Sequence, residues 1–355
     1  MQKKRILFLG ETFRADAITW MNGLKEFGNF EIVTWELQNH SEGIFRIKRL
    51  FELFKTFFNF KKIAKSFNAD MVIAERVTSY GFLAAISGIK PIVIAQQGSS
   101  DLWPENSPLY FLKKMLQDYA FKKANLIHAW GNVMALHMRK QNADMSKVMI
   151  MPKGIDVDLF GFQDNSSTIK INAIVTRSLK SEYKHDIILK AFSVLKKKNI
   201  SFEITIVGDG ILLEKLKMFA ILLNIEKEVV FTGRINNADL PKLLQKSNFY
   251  VSMPTTEGVS ASLFEAMACG CFPVVSDIEG NRSWIKTQEN GILVESENAE
   301  KLASEIECAF LNPSFVEKAI IQNRKLVVEN ANYAINMKKI ANAYHQLINQ
   351  KTLKT

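Results

Sequence analysis

The chain has 355 residues, 47% hydrophobic and 23% charged. That length exceeds one ordinary core and suits two domains of roughly 150 to 200 residues, and the apolar content excludes a disordered polypeptide. No run of 18 or more apolar residues occurs, so no membrane-spanning helix is predicted, and the net charge of +10 turns attention to anionic partners.

The first ten residues start basic and then hold only four apolar residues, Ile6–Leu9. That is too short for a signal peptide and suits a first strand. Further short apolar runs follow at Glu31–Trp35, Met71–Ala74, Pro91–Ala95, Leu126–Ala129 and Val148–Met151, with helical patterns between them. One of those patterns is unusual. Between Phe45 and Phe67, Ile47, Leu50, Phe51, Phe54, Phe57 and Phe58 recur at helical spacing among seven Lys and Arg and a single acid, Glu52. Two readings fit it: a helix packed on the first sheet with a solvated basic face, or a helix resting on an anionic membrane surface.

The second half repeats the alternation, with strands expected at Asn172–Val175, Glu203–Val207, Val229–Phe231, Phe249–Ser252, Phe272–Val275 and Gly291–Val294. Short apolar runs separated by helices predict doubly wound parallel sheets, here two Rossmann-like α/β domains facing a cleft. The polar stretch Phe160–Thr168 is the expected joint. The expected division is 1–162, 163–330, and a C-terminal helix over 331–355 packing back on the first domain. Cys269, Cys271 and Cys308 have no metal-ligand spacing, and a reducing cytoplasm is their simplest context.

Ligands of such sheets bind beyond the carboxyl ends of the strands. The most informative such segment follows the run ending at Ser252, where Glu257 is followed by Gly258, Val259, Ser260 and Ala261, and then by Glu265 on a short helix ended by Gly270. Gly258 permits close backbone approach, and the helix start offers unpaired N–H groups to an anion. A plainer reading makes Ser262 to Glu265 a capping box and leaves Glu257 a solvated loop residue. Two cations, Arg177 and Lys184, follow the first strand of this half, where they can neutralise a diphosphate. Gly208-Asp-Gly210 and Gly233-Arg234 end the next two strands; for Gly208 a simple strand-to-helix turn competes with ligand contact.

With these residues in this order, the second half resembles the retaining, nucleotide-sugar-dependent glycosyltransferases of the GT-B fold, family 4. The resemblance runs from about Lys153 to Val294 and is most specific in the Glu257 to Glu265 spacing with Ala266-Met-Ala and Gly270. It implies that Arg177 and Lys184 bind the donor diphosphate, that Glu257 faces the transferred sugar, and that Glu265 holds the ribose. It further implies contacts from Gly208, the backbone of Val259 to Ala261, and the region of Gly233 and Arg234 near the base. No cofactor or metal is implied; Asp156-Val-Asp158, which looks like the metal motif of another fold, falls in the family's interdomain segment.

The first half departs from the family. Gly10 is the only glycine of the first loop, Asp16 stands where histidine is often found, and Gln97 replaces a histidine in the loop that ends at Asp101. These are the acceptor-side candidates. The implied partners are a UDP- or GDP-sugar and a glycan or lipid-linked acceptor, with no nucleic acid. The implied setting is cytoplasmic, at the inner face of the membrane. A sugar-nucleotide epimerase of the same fold and a non-catalytic binder of anionic lipid or nucleic acid are the alternatives.

Overall fold

The computed structural model describes residues 3–38, 45–96 and 109–352. Each of the twelve predicted strands is present. The first six are β1 Arg5–Leu9, β2 Glu31–Trp35, β3 Met71–Glu75, β4 Ile92–Gln96, β5 Leu126–Ala129 and β6 Val148–Ile150; they form one parallel sheet in the order β2-β1-β3-β4-β5-β6. The second six are β7 Ile171–Thr176, β8 Phe202–Val207, β9 Val229–Gly233, β10 Phe249–Ser252, β11 Phe272–Ser276 and β12 Ile292–Val294. They form a second parallel sheet in the order β12-β11-β10-β7-β8-β9.

Strands this apolar are stable only with both faces covered. In the second sheet Ala173, Val175, Ile204, Ile206, Val251 and Val274 point into one core, packed by helices His185–Lys197 and Ala299–Phe310. Ile174, Val207, Tyr250 and Val275 point the other way, onto helix Ala261–Cys269. Alternation along each strand therefore serves two layers.

The chain divides into one unit of residues 1–153 with 334–355, and another of residues 154–333. The crossing thus lies between Lys153 and Gly154, ahead of the polar stretch Phe160–Thr168. The cause is local: Ile155 bridges to Asn332, and Ile155, Val157 and Phe160 are buried in the second unit's core. Arg324 fastens the same segment by donating to the carbonyls of Val157 and Phe160. In the first unit Tyr344, on the last helix, pairs its hydroxyl with His128 Nδ1 at 3.2 Å, and His345 Nε2 meets the carbonyl of Gly28 at 2.8 Å.

In each sheet the strand order reverses at one place, between β1 and β3 in the first and between β7 and β10 in the second. At such a switch point the two outgoing loops run to opposite sides and leave a crevice.

Candidate active site

Arg177 follows β7 and Glu257 lies in the loop after β10, so the two flank the switch point of the second sheet. Arg177 Nη2 stands 2.6 Å from Glu257 Oε2, and the same guanidinium donates to Ser260 Oγ and, through Nε at 3.4 Å, to Ser252 Oγ. Its carbon lies 5.4 Å from the centre of the Tyr183 ring. Burial works against the charge on Arg177, but Tyr250 and Glu257 beside it hold its pKa above the ordinary arginine value. Burial also raises the Glu257 carboxyl, which Arg177 pulls part of the way back. The two groups form a close ion pair in which Arg177 is the only partner of Glu257 Oε2 among the described residues.

The loops around this pair are fixed by their neighbours. Gly208 has φ 142°, and a Cβ there would stand 2.3 Å from the carbonyl oxygen of Arg177, so only glycine lets the β8 turn close on the β7 loop. Leu179 N–H donates to Asp209 O and Leu212 N–H to Leu179 O, which interlocks the two loops. On the other side, Thr255 N–H donates to Glu182 O at 2.9 Å, and Ser276 Oγ donates to Pro254 O at 2.8 Å. Gly280 presses on the loop from beneath: a Cβ there would come within 2.3 Å of the Glu257 carbonyl.

Helix Ala261–Cys269 starts at this place, and its end at Gly270, φ 92°, is as predicted. The capping-box alternative is not borne out. Ser260, not Ser262, is the N-cap, its Oγ accepting from Leu263 N–H at 3.2 Å, and Glu265 lies two positions beyond capping reach. Glu265 is thereby released from the helix terminus. It has no hydrogen-bond or ion-pair partner among the described residues, and burial lifts its pKa to about 7, against the pull of Arg177. The N–H groups of Ala261 and Ser262 have no acceptor within the helix.

A cavity of about 300 Å³ lies here, lined by Arg177, Gly208, Arg234, Ile235, Asn236, Ser262 and Glu265 among others. It gathers a buried cation, a second arginine, a helix start and a poorly solvated carboxyl. Gly233, φ 68°, accepts from Gly208 N–H at 3.0 Å and so joins the β9 loop to the other two. Lys184 is placed otherwise: it precedes helix His185–Lys197 at φ 48°, pairs Nζ with Glu297 Oε1 at 2.6 Å, and does not line the cavity.

At the switch point of the first sheet, Gly10 lies against Glu75 Oε2, which also accepts from Glu11 N–H at 3.0 Å. Asp16 is in the first turn of helix Ala15–Gly28, and its carbonyl accepts from Lys153 Nζ at 2.7 Å. Burial and the charge of Asp16 push Glu75 up to about 7, and burial brings Lys153 down to about 8. Gln97 and Asp101 lie outside the described residues.

A family model of glycosyl transferases group 1 matches residues 162–326, and one of glycosyl transferase 4-like proteins matches residues 5–130. The chain belongs to the group 1 glycosyltransferases. A Campylobacter jejuni relative, the N-acetylgalactosamine-N,N'-diacetylbacillosaminyl-diphospho-undecaprenol 4-alpha-N-acetylgalactosaminyltransferase, is 28% identical over 67% of this chain and 66% of its own. The UDP-Gal:alpha-D-GlcNAc-diphosphoundecaprenol alpha-1,3-galactosyltransferase of Escherichia coli is 24% identical over 60% of this chain and 58% of its own. The chain thus spans somewhat less than two thirds of these relatives. Among solved structures, HepE of Anabaena in complex with UDP superposes with a TM-score of 0.77 at 14% identity, covering 98% of this chain and 100% of that one, which shows a shared GT-B fold.

Of the residues singled out in the sequence, the fold brings Arg177, Glu257, Glu265, Gly208 and Arg234 together, and it adds Ser252, Tyr183 and Gly280 beside them and Glu75 and Lys153 at the first switch point, none of which the sequence reading named as site residues. Ser252 was within reach, as the last residue of a predicted strand at the right edge. Gly280 carries no local signal, since its importance comes from a loop 23 residues earlier in the chain.

Proposed function

We propose that the chain is a retaining, metal-independent transferase. It moves a hexose-type sugar from a UDP- or GDP-sugar to a hydroxyl of a lipid-linked glycan in bacterial surface-polysaccharide assembly, such as lipopolysaccharide or capsule. The observation that carries this reading is the buried Arg177, held by Ser252, Ser260 and Glu257 beside a cavity that Glu265 also lines. The naming of diphospho-undecaprenol acceptors for the two curated relatives, and the UDP in HepE, support the substrate classes. The same reading sets the reaction at the inner face of the cytoplasmic membrane, where such acceptors lie.

In the reaction, the bond between the sugar's anomeric carbon and the β-phosphate oxygen breaks, and its electron pair stays on the diphosphate. The acceptor hydroxyl attacks on the face the diphosphate leaves, and its proton passes to the departing phosphate oxygen. No side chain need act as base. The protein's task is to place the reactants and to hold the developing negative charge. Arg177 does so from a buried position where its charge is poorly screened, and the open N–H groups at the start of helix Ala261–Cys269 add to it. Because Arg177 touches Glu257 before the donor enters, diphosphate competes for the guanidinium and frees Glu257 toward the sugar hydroxyls. Glu265 suits the ribose. Asp156 contributes no metal ligand in this account, its Oδ1 being engaged by the N–H groups of Asp158 and Leu159.

A panel of UDP-, GDP- and ADP-sugars tests the donor by thermal shift, since a ligand at 100 times its Kd stabilises by about 2.7 kcal/mol. Transfer to a lipid-diphosphate glycan, with the product anomer read by NMR and EDTA present, tests the rest. A retained anomer and full activity in EDTA are expected. An inverted anomer, loss of activity on chelation, or epimerised donor without acceptor overturns the corresponding part.

A further inference from the structure

Helices Phe45–Ser66 and Tyr110–Lys123 together hold eleven Lys and Arg against two acids, Glu52 and Asp118. That is a net +9 of the chain's +10 on 36 residues; the remainder is almost neutral. Helix Phe45–Ser66 already has a core face, with Phe60 and Ala64 fully buried. It carries a second apolar face as well. Phe51, Phe54 and Phe58 are 72%, 68% and 69% exposed, and Phe111 on the other helix is 86% exposed.

These rings stand on a fixed platform. Phe57 stacks on Phe82 with centroids 5.7 Å apart, Phe82 meets Tyr119 at 5.9 Å, and Phe58 packs on Phe57 at 5.1 Å. Between the helices runs a groove of about 450 Å³ whose walls are wholly apolar, with Phe51, Phe54, Phe57, Phe82, Leu112 and Leu116 among them. Lys55, Lys61, Lys62, Lys65, Lys122 and Lys123 are exposed on the same two helices. A surface combining exposed rings with nearly the whole net charge is costly in water and matched to a boundary that is anionic above and hydrocarbon below. Nucleic acid fits less well, because the groove offers no polar group to a base edge or phosphate.

We infer that this two-helix face docks on an anionic lipid leaflet and that the groove takes one hydrocarbon chain from it. The inference rests on the membrane location in the proposed function and not on its donor chemistry. The lysines meet the headgroups while Phe54, Phe58 and Phe111 enter the boundary with the acyl chains.

Co-sedimentation with vesicles of phosphatidylcholine, with and without phosphatidylglycerol, tests it on the full chain. Binding to the anionic vesicles alone is expected, weakened at least a hundredfold by Lys55, Lys61, Lys62 and Lys65→Glu together and about tenfold or more by Phe54→Ser with Phe111→Ser. Phe54→Trp fluorescence should be quenched by brominated acyl chains. Retained stabilisation by nucleotide-sugar in each variant separates this outcome from misfolding and from failure of the donor site. No binding at low salt, binding indifferent to both sets of variants, or an unquenched Trp at position 54 overturns the inference. So does a dimer in sedimentation velocity that the Phe variants abolish, which would assign the groove to a second copy.

Discussion

The two sheets share one topology at their switch points, and each brings a glutamate with a pKa of about 7 to that place: Glu75 at the end of β3, and Glu265 on the helix after β10. Their surroundings differ. Glu75 sits among Glu11, Arg14, Asp16, Arg76 and Lys153, with Arg76 paired to Glu11 at 2.8 Å and Arg14 to Glu11 at 2.6 Å, so charges there largely satisfy one another. Glu265 is pulled on by Arg177, and Arg177 is itself paired with Glu257. The first site is a balanced network, whereas the second keeps an incompletely satisfied carboxyl beside a buried cation. On the proposed function, the second is therefore the site that an incoming diphosphate and ribose would complete.

The sharpest break in that comparison is Arg177→Ala. It should lower transfer by roughly 10² to 10³ in kcat, by analogy with the loss of one oxyanion donor, while the corresponding Arg76→Ala acts mainly on stability. Steady-state kinetics beside urea unfolding distinguishes the two. If Arg76→Ala lost as much kcat as Arg177→Ala at unchanged stability, the assignment of the sites would be reversed.

The two glutamates give the next effect. Each has a folded pKa raised from 4.5 to about 7, so each favours the folded state while protonated, and that stability is lost as pH rises from about 4.5 through 7. The loss is on the order of 3 kcal/mol per group. Glu265→Gln should therefore unfold later in urea than the parent at pH 8 and about equally at pH 4.5, yet bind nucleotide more weakly. Glu75→Gln should show the same pH trend with nucleotide binding unchanged.

Gly208→Ala comes third. It forces a methyl into the carbonyl of Arg177 at a φ that L residues avoid, and should cost about 1–3 kcal/mol in urea unfolding and weaken donor binding by displacing the guanidinium. The smallest effect is expected from Ser252→Ala, which removes one 3.4 Å contact from Arg177. A several-fold loss in kcat with little change in stability is anticipated.

All twelve strands were legible because each is a short apolar run, and a doubly wound parallel sheet was the one arrangement consistent with so many helices between them. The places of Arg177, Glu257 and Glu265 were legible for a related reason: Arg177 comes straight after one such run, and Glu257 and Glu265 lie in the loop and helix after another. The domain crossing was not, since the polar stretch Phe160–Thr168 looks like a linker, while the burial of Ile155 and Val157 depends on Asn332 and Arg324 far along the chain. The capping-box alternative fails because the helix starts two residues earlier than it requires: Ser260 and Ser262 are both good caps, and Ser260, which also accepts from Arg177, is the one used. Glu75 was invisible in a strand of otherwise ordinary core residues. Its character comes from burial and from the charge of Asp16, which the fold brings to it from far along the chain.

Hydrogen–deuterium exchange with and without UDP and GDP tests the assignment of the donor to the second switch point most directly. Nucleotide should protect residues 177–184, 233–237 and 257–265 and leave residues 10–16 and 75–77 unchanged. Protection confined to the loops around Gly10 and Glu75, with exchange around Arg177 and Glu265 unaltered, would contradict it.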